Sequence, residues 1–238
     1  MTDKKKKKIT KKVTTTITEE IIDVNEKTLI VSILDRSGSI RKILSDVVGG
    51  YNTFLKEQKK LEGEAMMTTV LFDDQYEIVY DNIPLKEVEE IDEDIWSPRG
   101  TTALYDAIGK TIAKVKDDVK KMAKKNRPQK ILVVIVTDGK ENDSIEYTND
   151  SIKKLINEME EKDWQFLYLA ANQDAFDVGT SMGFSGGNTY TFDTTEEGTK
   201  DMFYTVSNAT MSYRSMSTSD ANYDQLSKNL INTEEEDK

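Results

Sequence analysis

Two residue types that carry much of protein chemistry are missing from this chain of 238 residues, which has no cysteine and no histidine. Without cysteine the chain can form no disulfide bond, zinc–thiolate site or thiol nucleophile. Without histidine it lacks the commonest general base and the usual ligand of transition metals. A metal site in this chain must therefore be built from oxygen donors, which favours Mg²⁺, Mn²⁺ or Ca²⁺.

Long apolar stretches are also lacking, and charge is distributed unevenly. Hydrophobic residues make up 37% of the sequence, and no run reaches the roughly 18–20 residues of a membrane span. The net charge is −11, yet the first 12 residues contain seven lysines. The run Lys4–Lys8 is not followed by an apolar stretch, so it does not predict a signal peptide, and we expect a cytoplasmic protein.

The composition predicts one folded domain between two polar ends. Residues 1–25 are lysine-rich, and Val13, Thr15 and Ile17 alternate with polar neighbours, which predicts a tail or an added strand. Residues 26–215 hold the regular apolar patterns of a folded domain. Residues 216–238 are polar and end in an acidic run, which is typical of a solvated tail.

Short, almost continuous apolar runs predict the inner strands of a parallel sheet. They cover Leu29–Leu34, Ile131–Val136 and Phe166–Ala171, and such runs indicate strands buried on both faces. Helical periodicity lies between them, which is the alternation of an α/β fold with right-handed crossovers. Met66–Phe72 and Tyr76–Tyr80 predict a hairpin. The predicted fold is a Rossmann-like doubly wound α/β sheet, mostly parallel with one antiparallel edge strand, and with helices on both faces.

Hard oxygen donors follow the first two buried runs. Asp35-Arg36-Ser37-Gly38-Ser39 places a carboxylate and two hydroxyls on alternate residues, and we expect Gly38 to permit the sharp turn. Asp138 follows the next buried strand and supplies a second carboxylate. The alternative interpretation is structural: Asp35 and Ser39 would cap the following helix, and Asp138-Gly139 would be an ordinary turn.

Taken together, three segments resemble the metal-ion-dependent adhesion site of von Willebrand factor type A domains. They are Asp35-x-Ser37-x-Ser39, Gly100-Thr101-Thr102-Ala103-Leu104-Tyr105-Asp106-Ala107-Ile108 and Val136-Thr137-Asp138-Gly139-Lys140-Glu141-Asn142. In that family a loop threonine precedes a helix beginning Leu-Tyr-Asp-Ala, so Thr102 is the matching residue. The resemblance covers about residues 27–215. It includes Ala171-Asn172-Gln173-Asp174-Ala175, which is similar to intracellular bacterial and phage members.

The resemblance implies a role for each residue of the site. Ser37, Ser39 and Thr102 would ligate Mg²⁺, or Mn²⁺ or Ca²⁺, directly through their hydroxyls. Asp35 and Asp138 would bind the ion mainly through water. The remaining coordination position would accept an acidic side chain, Glu or Asp, of a protein partner.

Three basic residues flank the motif loops: Arg36, Arg99 and Lys140. On an acidic protein, a basic rim around the site would help an anionic ligand to approach. The alternative is that these residues are simply exposed loop charges.

The favoured hypothesis is therefore a metal-dependent protein-binding module without enzymatic activity. A metal-dependent hydrolase is the first alternative, because an aspartate after the first strand also begins phosphatases of the haloacid dehalogenase type. Those enzymes need a second acid where this chain has Ser37, and two-metal nucleases need more than two carboxylates. The second alternative is a nucleic-acid-associated protein using the basic N-terminal arm, but the chain lacks a basic, aromatic-studded face.

Overall fold

The buried runs form the middle of a six-stranded sheet in the computed structural model, which describes residues 26–171, 175–216 and 218. The strands are β1 (Thr28–Asp35), β2 (Ala65–Phe72), β3 (Tyr76–Pro84), β4 (Lys130–Thr137), β5 (Trp164–Ala170) and β6 (Thr189–Thr191). Their order across the sheet is β3-β2-β1-β4-β5-β6. Only β3 runs antiparallel, paired with β2, and the remaining pairs are parallel. The predicted fold class and antiparallel edge are confirmed.

Helices cover both faces of the sheet. They are α1 (Leu44–Lys60), α2 (Leu104–Lys121), α3 (Asn149–Glu160), α4 (Ala175–Ser181) and α5 (Glu196–Ser215). The side chains of β1 alternate between two separate cores, as the period of a strand requires. Ile30 and Leu34 pack with α1 and α5, whereas Val31 and Ile33 pack with α2 and α3.

The first helix starts later than its apolar periodicity predicts. The pattern from Ile40 onward predicts one continuous helix, but the structure has a short 3₁₀ helix over Gly38–Lys42 before α1 begins at Leu44. Ile40 and Ile43 are both buried, so they belong to the apolar pattern without belonging to α1. The extra turn holds the loop after β1 close to the end of the sheet.

At the opposite end of the sheet, Lys130 joins the two ends of the described part of the chain. Its buried ammonium donates hydrogen bonds to the carbonyls of Arg214 and Met216, both at 2.7 Å. It also lies 3.4 Å from the carboxylate of Glu26. That carboxylate accepts the backbone N–H of Thr218 at 3.1 Å. The chain therefore enters and leaves the domain at one place.

Several predictions from sequence concern residues outside the described part. They are the tail or strand of residues 1–25, most of the tail over 216–238, and the Asn172–Asp174 portion of the bacterial-type motif. Within the described ranges, no helix has both the length and the apolar character needed to cross a membrane.

Candidate metal site

Three loops meet at the carboxyl end of the central strands, and backbone hydrogen bonds join them. The N–H of Gly38, after β1, donates to the carbonyl of Gly100, before α2, at 3.3 Å. The N–H of Asn142, after β4, donates to the carbonyl of Thr102 at 3.0 Å. The side chain of Asn142 accepts the Thr102 N–H at 2.9 Å in return. The three predicted motif segments therefore form one connected surface.

Asp35 is the buried centre of this surface. Its side chain is fully buried. Oδ1 accepts the N–H of Ser37 and Oδ2 accepts the hydroxyl of Thr137, both at 2.6 Å. The backbone carbonyl of Asp35 accepts the indole N–H of Trp96 at 3.0 Å. Burial raises the pKa of Asp35 to about 6 against the opposing effect of these hydrogen bonds, and the charge of Asp138 adds to the rise.

The two serine hydroxyls connect Asp35's loop to the second carboxylate. The Ser37 and Ser39 hydroxyl oxygens lie 3.1 Å apart. The Ser39 hydroxyl donates to Oδ1 of Asp138 at 2.7 Å. Burial also raises the pKa of Asp138. The structure thus brings Asp35, Ser37, Ser39 and Asp138 together.

The structure separates Thr102 from its neighbour Thr101. A Cβ atom placed on Gly139 would lie 2.9 Å from Oγ1 of Thr102 and 3.6 Å from Oδ2 of Asp35. The Thr102 hydroxyl therefore lies beside the start of the loop after β4. The Thr101 hydroxyl instead donates to the carboxylate of Asp143, at 2.7 Å on the exposed surface.

The glycine that the loops require is Gly100, and the expectation for Gly38 is wrong. Gly100 has φ +62°, and a Cβ there would lie 1.9 Å from Oδ1 of Asp74. Gly38 does not have a positive φ, and a Cβ there would make an ordinary contact, 3.6 Å from the Gly100 carbonyl. Gly100 is required because the turn between β2 and β3, which contains Asp74, lies directly against it. The sequence around Gly100 does not reveal this contact.

Helix capping does not account for the polar residues after β1. Neither Ser37, before the 3₁₀ helix, nor Ile43, before α1, makes a side-chain capping hydrogen bond. Ser39 donates across the surface to Asp138 instead. The hydroxyls therefore face the second strand end rather than the helix.

The donor set fits a hard divalent cation. Within the described residues, no group of three or more acidic side chains lies close enough together to hold a metal, so hydroxyl oxygens would have to complete the coordination. Asp35 is buried and Asp138 is partly buried, and this burial raises the pKa of both carboxyl groups because it disfavours their charged form. A bound dication would offset this charge, and hard oxygen ligands suit Mg²⁺ or a similar ion. The lack of a side chain on Gly139 keeps space beside Thr102 and Asp35.

The basic rim differs from the sequence expectation at Arg36. Its side chain is only 3% exposed, with Nη2 2.8 Å from Glu77 and Nε 3.7 Å from Asp73. Its charge is therefore turned into the β2–β3 turn, because the buried carboxylate of Asp73 lies there. Arg99 is 44% exposed and also binds Asp73, at 2.6 Å. Lys140 is exposed on the loop after β4.

Sequence reasoning missed several residues that shape the site, above all Asp73. Asp73 directly follows β2, as Asp35 and Asp138 mark the ends of β1 and β4. That shared position at the carboxyl edge is the signal that could have identified it. Its carbonyl also accepts the N–H of Ala103, at 3.0 Å, which positions the loop before α2. Thr137 and Trp96, which hold Asp35, carried no comparable signal.

Glu141 and Asp106 lie within the motif segments, and they hold the loop after Asp138, a role that the sequence did not assign to them. Glu141 accepts the N–H of Tyr105, in the first turn of α2, at 2.9 Å, where a negative charge is favoured by the helix dipole. Asp106 accepts the N–H groups of Glu146 and Tyr147, at 3.0 and 2.8 Å. The loop is thereby fastened to the start of α2.

Comparison with known proteins places this arrangement in one family. Residues 30–205 match the model of the von Willebrand factor type A domain. No curated protein sequence matches the chain significantly.

Solved structures share the fold at low sequence identity. Mussel byssus proximal thread matrix protein 1, solved with a zinc-occupied MIDAS motif, is 14% identical with a TM-score of 0.55, over 80% of this chain and 47% of that one. The ArnB paralog VWA2 from Sulfolobus acidocaldarius is 15% identical with a TM-score of 0.52, over 76% and 44%. The pilus adhesin SpaC from Lactobacillus rhamnosus GG is 12% identical with a TM-score of 0.57, over 78% and 30%. The chain spans less than half the length of each, and identities this low show the fold alone.

Proposed function

Because this chain belongs to the von Willebrand factor type A domain family, we propose that it is a metal-dependent binding module. One divalent cation would be held at the carboxyl end of the sheet and would coordinate an acidic side chain of a protein partner. The observation that carries this proposal is the convergence of Asp35, Ser37, Ser39 and Asp138 from two strand ends, with Ser39 hydrogen bonded to Asp138 at 2.7 Å.

The proposed ligands are Asp35, Ser37, Ser39, Thr102 and Asp138, with Mg²⁺ as the ion, or Mn²⁺ or Ca²⁺ in its place. When bound, the cation would supply a positive centre that attracts a carboxylate. Because the hydroxyl ligands are neutral, the two carboxylates together supply a charge of −2, which neutralises the +2 charge of the ion without exceeding it. An ion with such a donor set keeps affinity for one more anionic oxygen.

The surroundings support a modest basic rim rather than a strongly positive one. Arg36 and Arg99 are matched by Asp73 and Glu77 within 4 Å, so this group of four has no formal net charge. We therefore propose that Lys140 and the exposed part of Arg99 contact the partner, and that Arg36 supports the loop from below.

Binding fits the site better than hydrolysis does. The chain has no histidine or cysteine to activate a nucleophile. Asp35, the most buried acid of the site, already has both carboxylate oxygens hydrogen bonded to Ser37 and Thr137. A general base must lie within hydrogen-bond reach of the proton that it removes, and Asp35 is fully buried.

Titration of Mn²⁺, followed by the relaxation of water protons, tests the site on the full chain. We expect one Mn²⁺ to bind with a solvent-exchangeable position, and we expect added acetate to reduce the relaxation enhancement by displacing water. Asp35→Ala should lose the binding, and Thr101→Ala, whose hydroxyl faces Asp143, should keep it. Equal Mn²⁺ binding by Asp35→Ala, or steady Mg²⁺-dependent release of phosphate from p-nitrophenyl phosphate by the wild type, would overturn the proposal.

A further inference from the structure

A solvent-open groove of about 690 Å³ lies between α1 and α5, along the outside of the sheet. Its floor includes the rings of Phe54 and Phe203. Its walls include Tyr204, which is 64% exposed, and Met211, which is 36% exposed. Single exposed apolar residues are ordinary, but a contiguous apolar patch rimmed by polar residues is typical of an interaction surface, so this groove is a candidate for covering by another segment.

Two adjacent glycines in the middle of α1 form part of the groove. Glycine is unfavourable inside a helix, so each position calls for an explanation. Gly50 is required by packing, because a Cβ there would lie 2.2 Å from the ring of Phe203. A Cβ on Gly49 would meet nothing within 4 Å. The packing of the domain therefore does not require Gly49, and its missing side chain leaves the groove open.

The chain enters the domain between the C-terminal ends of the two helices that form the groove. Lys27 pairs at 2.9 Å with Glu64, which lies just beyond the end of α1. Glu26 accepts hydrogen bonds from Thr218, which lies just beyond the end of α5. Residues 13–25 are thirteen residues, and a fully extended chain of that length reaches about 43 Å. A helix of the length of α1 is about 26 Å long. The residues before Glu26 are therefore long enough to follow the whole groove.

The apolar residues of this preceding segment match the groove in polarity, and the lysines that come before them are opposite in charge to its rim. The segment itself also carries Glu19, Glu20 and Asp23, which would have to face solvent. Apolar residues occur at Val13, Ile17, Ile21, Ile22 and Val24. Seven lysines lie within the first 12 residues, farther from the entry point.

The rim of the groove is mainly acidic. Asp46, Glu57 and Asp201 line it, and Lys200 is the single basic residue among the lining side chains. Lys200 is itself paired with Glu196 at 2.6 Å. Asp46 and Asp201 lie toward the N-terminal ends of α1 and α5. A segment that starts at the C-terminal ends of these helices runs toward those acids, and the lysines before it would reach them if the segment is shorter than its fully extended length.

We propose that residues 13–24 of this chain lie in the groove between α1 and α5, with the lysines before them along the acidic rim. The segment covers the apolar floor and packs into the space beside Gly49. This docking is separate from metal binding, since none of the proposed metal ligands contributes to the groove.

A spin label attached to the segment tests the docking. The chain has no cysteine, so Ile17→Cys provides a single attachment point for a nitroxide. The probe is the methyl signals of ¹³C-labelled methionine in the full chain. We expect the Met211 signal to lose most of its intensity, and the signal of Met122, which follows α2 on the other face of the sheet, to be unchanged.

Gly49→Trp is the matched control, because its indole would fill the groove without a clash at the Cβ atom. In this background we expect the Met211 signal to recover most of its intensity. If the Met211 signal were broadened equally in the presence and absence of the Gly49→Trp substitution, the broadening would come only from the covalent tether of the label. That result would overturn the proposal. Broadening that appears only between spin-labelled and isotope-labelled chains in a mixture would also overturn it, because the occupant would then be a second copy.

Discussion

The hydroxyl of Ser39 donates a 2.7 Å hydrogen bond to Oδ1 of Asp138, although 99 positions separate the two residues in the chain. This bond connects the loop after β1 to the loop after β4. It makes the two strand ends parts of one polar surface, in which each loop orients donors belonging to the other.

Removing the Ser39 hydroxyl should weaken metal binding. Ser39→Ala deletes one proposed ligand and the hydrogen bond that orients Asp138, so we expect the Mg²⁺ affinity to fall by more than about tenfold. Thr101→Ala deletes the hydroxyl of the residue next to Thr102, which donates to Asp143 instead, and should leave the affinity unchanged. Isothermal titration of Mg²⁺ into each full-length variant measures this. Matching affinities for the two variants would show that Ser39 is not a ligand.

A methyl group at Gly139 should disturb the site from the other side. In Gly139→Ala the new Cβ would lie 2.9 Å from Oγ1 of Thr102, so the threonine hydroxyl must move. We expect weaker Mn²⁺ binding with little loss of stability, since the φ of Gly139 is not positive.

Gly38→Ala is the control for that variant, because its Cβ would make only an ordinary contact at 3.6 Å. Its Mn²⁺ affinity should stay close to that of the wild type. If Gly38→Ala reduced binding as much as Gly139→Ala, crowding of Thr102 would not be the cause. Electron paramagnetic resonance of free Mn²⁺ provides the measurement for both variants.

Asp73 should matter for stability more than its position in a turn suggests. Asp73→Asn removes the buried charge that faces Arg36 and Arg99. We expect the free energy of unfolding to fall by on the order of 3 kcal/mol. Glu77→Gln, which alters the 54% exposed partner of Arg36, should cost less than about 1 kcal/mol. Urea unfolding followed by tryptophan fluorescence measures both changes, and an equal cost for the two variants would contradict the role assigned to Asp73.

Metal binding should release protons near pH 6 but not near pH 8. Burial raises the pKa of Asp35 to about 6, so at pH 6 roughly half of the carboxyl groups carry a proton that the cation must displace. The affinity for Mg²⁺ should therefore fall as the pH drops through 6. Titration calorimetry in two buffers with different ionisation enthalpies counts the protons. Identical proton counts at pH 6 and pH 8 would exclude this linkage.

The inner strands could be predicted from sequence because a strand that is buried on both faces appears as a short, almost continuous apolar run. β1 and β4 are buried at every position and apolar over most of their length, and the carboxyl ends of such strands mark where ligands bind. The start of α1 could not be predicted in this way. Ile40 and Ile43 continue the apolar period, but they are buried by the 3₁₀ turn that precedes the helix.

The direction in which the Arg36 side chain points could not be predicted from the sequence either. Arg36 lies between two residues of the candidate site, and an exposed position is the natural expectation for an arginine there. Its side chain is buried because Asp73, 37 positions later, supplies a charge beneath the loop. Likewise, Thr101 and Thr102 are equivalent as isolated residues, and only the position of Asp143 shows that the Thr101 hydroxyl is directed elsewhere.

The junction at Lys130 has a consequence for how this domain can be combined with other chains. Glu26 and Thr218 are joined by hydrogen bonds, so the described part of the chain begins and ends at adjacent points. A domain built in this way can be inserted into a surface loop of a host protein without spreading the two ends of that loop. It can equally be circularly permuted, with a short linker replacing the Glu26–Thr218 contact and new termini placed in an exposed turn.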